Sequence, residues 1–265
     1  MDKDTFSKLK VADIKALFEN EQALEILPLA QEDDRSSVQK LAASYIKRQE
    51  KELKEQQRLM SMYDYEGMFY DQGIYHVAGV DEVGRGPIAG PVTVAVVILP
   101  PMTLIPGLND SKKLTEEKRE ALYDIIMKEA VAVSCISHGP EKIDELNIYE
   151  ATRQAMYEAI RTLSVPAEAV VADAMKLPDL TIPVESIVKG DSKSANIAAA
   201  SIIAKVTRDR YMKQLDEEYP GYGFGIHKGY YTELHKEAVE QQGVTPLHRK
   251  SFEPIKSIVR WVKPE

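Results

Sequence analysis

Three short β-branched runs in this chain each lead into a carboxylate, and that placement limits the folds open to it. Residues 76–80 run into Asp81 and Glu82, residues 168–172 into Asp173, and residues 183–188 through Lys189-Gly190 into Asp191. Acids gathered at strand ends in a partly buried site repel and raise one another's pKa, so such a grouping needs a neutralising partner. A divalent cation meets that need, and all-oxygen ligation selects Mg²⁺ or Mn²⁺ over zinc, which calls for Cys or His. A plainer account stays open: each Asp alone is an ordinary turn former, and Asp191 can cap a helix beginning near Ser194.

The pattern around these runs divides the chain. Residues 1–70 show helical spacing without strand alternation: Val11, Ile14, Leu17 and Phe18 share one face, and Pro28 with Glu32-Asp33-Asp34 interrupts the segment. Residues 37–62 read as a charged helix laced with ion pairs, in which Lys47, Arg48, Lys51, Lys54 and Arg58 alternate with Glu50, Glu52 and Glu55. From about 74 the texture changes. Strands are predicted over 76–81, 91–99, 131–137, 168–172 and 183–188, the first two antiparallel, and helices over 114–128, 147–163, 194–218, 231–241 and 253–262. Helices alternating with the last two strands imply a mixed α/β sheet. The texture change near residue 70 divides a helical N-terminal extension, 1–70, from an α/β domain, 71–265, whose C-terminal helical region begins near 216.

The longest apolar stretch, 91–102, is far short of the roughly 20 residues a membrane helix needs. The first residues lack a charged start followed by an apolar run, so cytoplasmic residence is expected. Cys135 is the single cysteine, in an apolar run, and reads as a small buried hydrophobe. The net charge of −8 argues mildly against a polyanionic partner. One basic stretch stands against that sum: Lys189, Lys193, Lys205, Arg208, Arg210 and Lys213 face only Asp191 and Asp209 between residues 189 and 213. The histidines, His76, His138, His227, His235 and His248, have no zinc spacing and read as surface or satisfied polar residues. A Gly-x-Ser-x-Gly elbow and a Walker A sequence are both missing, which removes those hydrolase classes.

Neighbours on a regular strand point to opposite faces, so Asp81 and Glu82 reach one site only if the strand bends after Asp81. Gly84-Arg85-Gly86-Pro87 offers such a break. Two glycines also allow a backbone to come close to a ligand, though a tight hairpin turn has the same composition.

As a set these residues resemble a known family. Val80-Asp81-Glu82-Val83-Gly84-Arg85-Gly86-Pro87-Ile88-Ala89-Gly90-Pro91 is similar to the signature of ribonuclease HII, the type 2 ribonuclease H family. The likeness continues in order through Asn109-Asp110-Ser111-Lys112-Lys113-Leu114, Ala172-Asp173-Ala174, Lys189-Gly190-Asp191-Ser192-Lys193-Ser194, residues 199–209, His227-Lys228-Gly229-Tyr230 and His248-Arg249-Lys250-Ser251-Phe252, so it covers roughly 75–255. The resemblance implies an RNase H-like α/β fold, a five-stranded mixed sheet flanked by helices. It implies an endoribonuclease acting on RNA/DNA hybrids and on DNA duplexes containing ribonucleotides. Incision falls on the 5′ side of a single ribonucleotide by a two-metal mechanism, leaving a 3′-hydroxyl. It puts the metal-binding, catalytic acids at Asp81, Glu82, Asp173 and Asp191. It gives Gly84, Arg85 and Gly86 the task of holding the ribose 2′-hydroxyl and adjoining phosphate, and Tyr230 that of contacting the nucleotide beside the cut, with Tyr231 as neighbouring competitor. Arg85 between the glycines favours type 2 over type 3 relatives.

Lys193 joins the substrate-binding candidates by its charge beside Asp191, and Lys205, Arg208 and Arg210 are further candidates for phosphate or for the acids. A solvated helix face explains Arg210 and Lys213 equally well, and Ser192 and Ser194 suit helix caps. A monomer without membrane contact is expected, its protein partners unnamed; no clamp-binding segment is legible in 255–265. Two other readings stay open: a type 3-like enzyme that requires a run of ribonucleotides, and a hybrid-binding module whose acids only cap turns.

Overall fold

β1 (Val77–Val83) and β2 (Val92–Ile98) carry almost no polar alternation, and β2 is buried along its whole length. Strands of that kind belong inside a sheet covered on both faces. In the computed structural model, which describes residues 1–263, they lie at the centre of a five-stranded mixed sheet of order β3-β2-β1-β4-β5. β3 (Ala132–His138) continues the antiparallel side, while β4 (Ala169–Asp173) and β5 (Val184–Ile187) add in parallel beyond β1. The switch from antiparallel to parallel pairing occurs at β1, the strand that carries Asp81.

The chain forms two compact units, Met1–Arg58 and the part from Leu59 onward. The first holds α1 (Lys3–Ser7), α2 (Val11–Leu17), α3 (Ala23–Gln31) and most of α4 (Ser36–Ser61). Phe6, Ile14, Phe18, Ile26, Ala30, Val38, Ala42 and Tyr45 make its core. Val11 is exposed, so the apolar face of α2 is narrower than its spacing predicts. Pro28 does not interrupt the chain. It lies within α3, where burial of Ile26 and Ala30 on either side holds the helix together until Glu32. By compactness the units divide within α4, after Arg58 and ahead of α5 (Asp64–Tyr70), because Leu59, Met62 and Tyr63 bury with Ala95, Val97 and Ala199.

In the second unit α6 (Glu116–Glu129), α7 (Pro140–Leu146) and α8 (Ile148–Arg161) precede β4, and α9 (Ala195–Glu218) follows β5. α8 covers one sheet face with Ala155, Met156, Ala159 and Ile160, against Ala78, Val80, Val94 and Val96. α9 covers the other with Ala198, Ala199, Ile202 and Ile203, α6 packing beside it. Small residues let α9 approach closely: a Cβ on Gly79 would lie 2.1 Å from the backbone carbon of Asn196. α10 (Phe224–His227), α11 (Glu233–Gln242) and α12 (Ile255–Val259) close the C-terminal part. The predicted helix over 231–241 starts two residues late because Thr232 caps it, and the one over 253–262 is shortened to α12. Residues 264–265 of the expected α/β domain, and of the 255–265 stretch, lie outside the described residues. No helix among the described residues is long and apolar enough to cross a membrane.

Candidate active site

β1 and β4 are parallel neighbours, so their C-terminal ends lie side by side, and the two-residue strand period puts Asp81 and Asp173 on the α9 face. Asp191 arrives in the short helical turn Gly190–Ser192 between β5 and α9. One carboxylate oxygen from each of Asp81, Asp173 and Asp191 falls within 4.8 Å of the others. Ser194, not Asp191, caps α9 by accepting from the Ile197 N–H, which leaves Asp191 free of that job.

The expected bend after Asp81 is not there. β1 keeps its register with β2 through Val83 opposite Thr93, and the break comes at Gly84, whose φ is 88°. The ladder partners fix both residues up to the edge of the sheet, so the pleat sends Glu82 to the Val80 side. Its Oε1 meets the Arg85 guanidinium at 3.2 Å; it is not one of the three acids whose oxygens meet within 4.8 Å, yet, after burial, its charge raises Asp81 and it is raised by Asp173 in turn.

Burial, followed by the charges of Glu82 and Asp173, holds the Asp81 carboxyl well above the usual carboxylate range. Burial likewise raises Glu82, whose Oε2 is buried with no hydrogen-bond partner. Asp191 is raised by burial and then by Asp110 and Asp173, while Lys112, 3.5 Å from its Oδ2, works the other way. One ammonium cannot neutralise this many acids. Buried carboxylate oxygens, an orphaned Oε2 and no nitrogen or sulfur donor make a set that fits a hard divalent cation.

Several expected contacts resolve differently. Lys193 is exposed beside Asp191, but the cation that reaches Asp191 is Lys112. The sequence signal for it was its place in the Asn109–Leu114 motif, which carried no charge argument of its own. Arg210 pairs with Glu120 and Lys213 with Glu116, tying α9 to α6, and Lys205 pairs with Asp209 at 2.8 Å. Arg208 is only 1% exposed and donates to the carbonyls of Pro91 and Ala89. The basic stretch is therefore largely spent inside the fold, while Lys189 and Lys193 form no ion pair among the described residues. Tyr230 and Tyr231 are both about half exposed, and the Tyr230 ring stands 3.5 Å from where a Gly86 Cβ would be.

Of the two expected readings of the histidines, that of satisfied polar residues holds for His138, His227, His235 and His248, which are buried and hydrogen-bonded, while His76 is partly exposed. Three pack together: His248 and His235 form a hydrogen-bonded chain that ends on the Tyr230 carbonyl, and His227 stacks on His235 with ring centroids 4.2 Å apart. The Gly229 N–H donates to His227 Nδ1, so its Nε2–H donates to the Tyr222 carbonyl. The Thr245 N–H donates to His248 Nδ1, so His248 Nε2–H donates to His235 Nε2, and His235 Nδ1–H to the Tyr230 carbonyl. Each ring is neutral, since a protonated imidazole has no acceptor nitrogen. Burial pushes His235 and His248 down to about 4. Because the folded value lies below the unfolded one, this stability is complete above about pH 6.5 and is lost as pH falls toward 4, roughly 3 kcal/mol for each group taken alone. Ring NMR resonances of His235 and His248 are expected to stay unmoved from pH 7.5 to 5; midpoints near 6.5 would refute the network.

The family model described as Ribonuclease HII matches residues 78–255, and that of the Ribonuclease HII N-terminal domain matches 10–70. Ribonuclease HII of Bacillus cereus (strain B4264) is 53% identical over 232 residues, 88% of this chain and 90% of the relative. Ribonuclease HII of Bacillus anthracis (strain CDC 684 / NRRL 3495) is 54% identical over 228 residues, 86% of this chain and 88% of the relative. Among solved structures, the ribonuclease H2 from Pyrococcus horikoshii OT3 matches with a TM-score of 0.61 at 28% identity, covering 69% of this chain and 97% of that one. Sheet, helices and neighbours together give the RNase H-like fold. With matches spanning both units and most of its length, the chain belongs to the ribonuclease HII family, hydrolases of the RNA strand in RNA/DNA hybrids.

Proposed function

We propose that this enzyme also incises DNA duplexes on the 5′ side of a single embedded ribonucleotide, leaving a 3′-hydroxyl, with two Mg²⁺ or Mn²⁺ ions held by Asp81, Glu82, Asp173 and Asp191. The observation that carries the reading is the meeting of three carboxylate oxygens within 4.8 Å. Bound there, such ions supply charge neutralisation, Lewis acidity and a water of lowered pKa. The protein's own groups do the rest. Asp173 is oriented by the Gly190 N–H at 2.8 Å and Asp81 by the Glu82 N–H at 2.8 Å, so both carboxylates are held before anything binds. Gly84, Arg85 and Gly86 form a turn beside Tyr230, with Gly84 buried and Arg85 and Gly86 exposed, where backbone groups can meet a 2′-hydroxyl, the one feature that marks a ribonucleotide in DNA. Exposed Lys189, Lys193 and Arg85 supply cations for the duplex backbone. Residues 1–70 serve as a helical extension to the catalytic domain that follows, and the enzyme acts as a cytoplasmic monomer.

Purified protein with Mn²⁺ or Mg²⁺ is expected to nick a DNA duplex bearing one ribonucleotide at its 5′ side, and a chelator to stop it. A well-cut RNA/DNA hybrid beside an untouched single-ribonucleotide duplex would select the enzyme that needs a run of ribonucleotides.

A further inference from the structure

The turn 84–86 has an inner side as well as an outer one; one buried arginine, Arg249, bonds that inner side, and a second, Arg208, lies where a Gly84 Cβ would be. Arg249 has no exposed surface, and its guanidinium donates to three carbonyls: Nε to Gly90 at 3.0 Å, Nη1 to Arg85 at 2.9 Å and Nη2 to Gly84. Its own N–H donates to the Ile88 carbonyl at 2.8 Å. Arg208 takes Pro91 and Ala89 in the same way, with Nη1 left without a partner. Neither arginine has a carboxylate partner within ion-pair distance among the described residues. Burial pulls Arg249 down to about 9 and Arg208 to about 10, a measure of how fully both are taken out of water.

What this does to the turn follows from peptide geometry. The bonds Gly84–Arg85 and Arg85–Gly86 are trans, so each carbonyl and the N–H of the same unit point in opposite directions. The Gly84 carbonyl belongs to the unit that carries the Arg85 N–H, and the Arg85 carbonyl to the unit that carries the Gly86 N–H. Fixing both carbonyls inward on one guanidinium fixes both N–H groups outward. Arg85 and Gly86 are exposed, and neither N–H has a protein acceptor among the described residues. An irregular exposed turn with no outward hydrogen bonds would otherwise be mobile.

We infer that Arg249 is the positioning residue of the substrate turn, which sets the Arg85 and Gly86 amides as a preformed pair of outward donors. The inference rests on the turn being the substrate-binding element proposed above. A lysine cannot replace the planar fork, because one ammonium on a flexible stem does not bridge three carbonyls in fixed directions. Donors that grip substrate and transition state alike act on KM rather than kcat, whereas a variant that only lowers the folded fraction lowers apparent kcat and leaves KM alone.

The test compares wild type with Arg249→Lys. KM for the single-ribonucleotide duplex is expected to rise about tenfold with kcat within about threefold. Backbone ¹⁵N order parameters of Arg85 and Gly86 are expected near ~0.85 in wild type and below ~0.6 in the variant. An unchanged KM, or amides already mobile in wild type, overturns the inference. Should the variant show no cooperative thermal transition, the wild-type amides decide alone: rigid yet freely exchanging supports the inference, and mobile or exchange-protected overturns it. Should wild type leave the single-ribonucleotide duplex uncut, the proposed activity is what fails, and the order parameters still decide the role of Arg249.

Discussion

Asp81→Asn is expected to abolish cutting of an RNA/DNA hybrid, by at least about 10³-fold in kcat/KM, while raising the melting temperature of the metal-free protein. The two effects have one cause. Asp81 is 4% exposed and shares its surroundings with Glu82 and Asp173, so its ionised form is held in the fold at a cost. Its folded pKa lies above the unfolded one, which means the penalty is absent below the unfolded value near ~3.9 and grows to its full size once pH passes the folded value. Asparagine keeps the shape and an oxygen to accept the Glu82 N–H, and removes the charge. In chelator at pH 7 the variant should therefore melt higher than wild type, and Mn²⁺ should raise the melting temperature of wild type by more than that of the variant. Asp191→Asn should lose activity in the same way. A variant that cut normally would end the assignment of Asp81, and one that melted lower without metal would refute the account of its charge.

What the sequence made legible was the part of the site that lies at strand ends. Asp81, Asp173 and Asp191 follow apolar runs, and the runs turned out to be β1, β4 and β5, so the acids were found by their position after an apolar run, Asp81 and Asp173 within their strands and Asp191 just past its own. Glu82 was harder: the bend that was to bring it alongside Asp81 is replaced by a straight strand that breaks at Gly84. The cations were the least legible. Arg208, Arg210 and Lys213 read as one basic stretch, yet helical spacing sends the first inward to backbone carbonyls and the others to acids on α6. Arg249 was visible only as part of a motif, since a guanidinium that binds main-chain oxygens leaves no charge partner in the sequence to pair it with. His227, His235 and His248 were hidden for a similar reason: their partners are carbonyls, amides and each other.

Gly79 carries the last of these silent constraints, and Gly79→Ala is expected to be among the most destabilising single changes in the second unit. A Cβ there would lie 2.1 Å from the Asn196 carbon, 2.4 Å from its oxygen and 2.4 Å from the Ile197 nitrogen. All three are backbone atoms at the start of α9, so no side-chain rotation relieves the clash and the helix must move. Asn196 is the stitch at that point: its Oδ1 accepts from the Leu99 N–H at 3.2 Å and its Nδ2 donates to the Val77 carbonyl at 2.7 Å. Both bonds are buried and would be strained or lost with the movement. Overpacking plus two weakened buried hydrogen bonds amounts to at least about 3 kcal/mol, or a melting temperature roughly 10 °C lower for a unit of this size. The same displacement reaches the site, because the Ser194 N–H bonds the Gly190 carbonyl at 2.8 Å and so ties α9 to the turn that presents Asp191. Activity should fall further than the folded fraction does. Gly67→Ala is the control. Gly67 sits in α5 with nothing within 4 Å of a new Cβ, and alanine there should stabilise by roughly 0.5–1 kcal/mol through helix propensity. Opposite signs from one chemical change separate close approach of backbones from the general preference of glycine for flexible chain, and a Gly79→Ala protein that melted like wild type would mean that α9 does not rest on β1 as described.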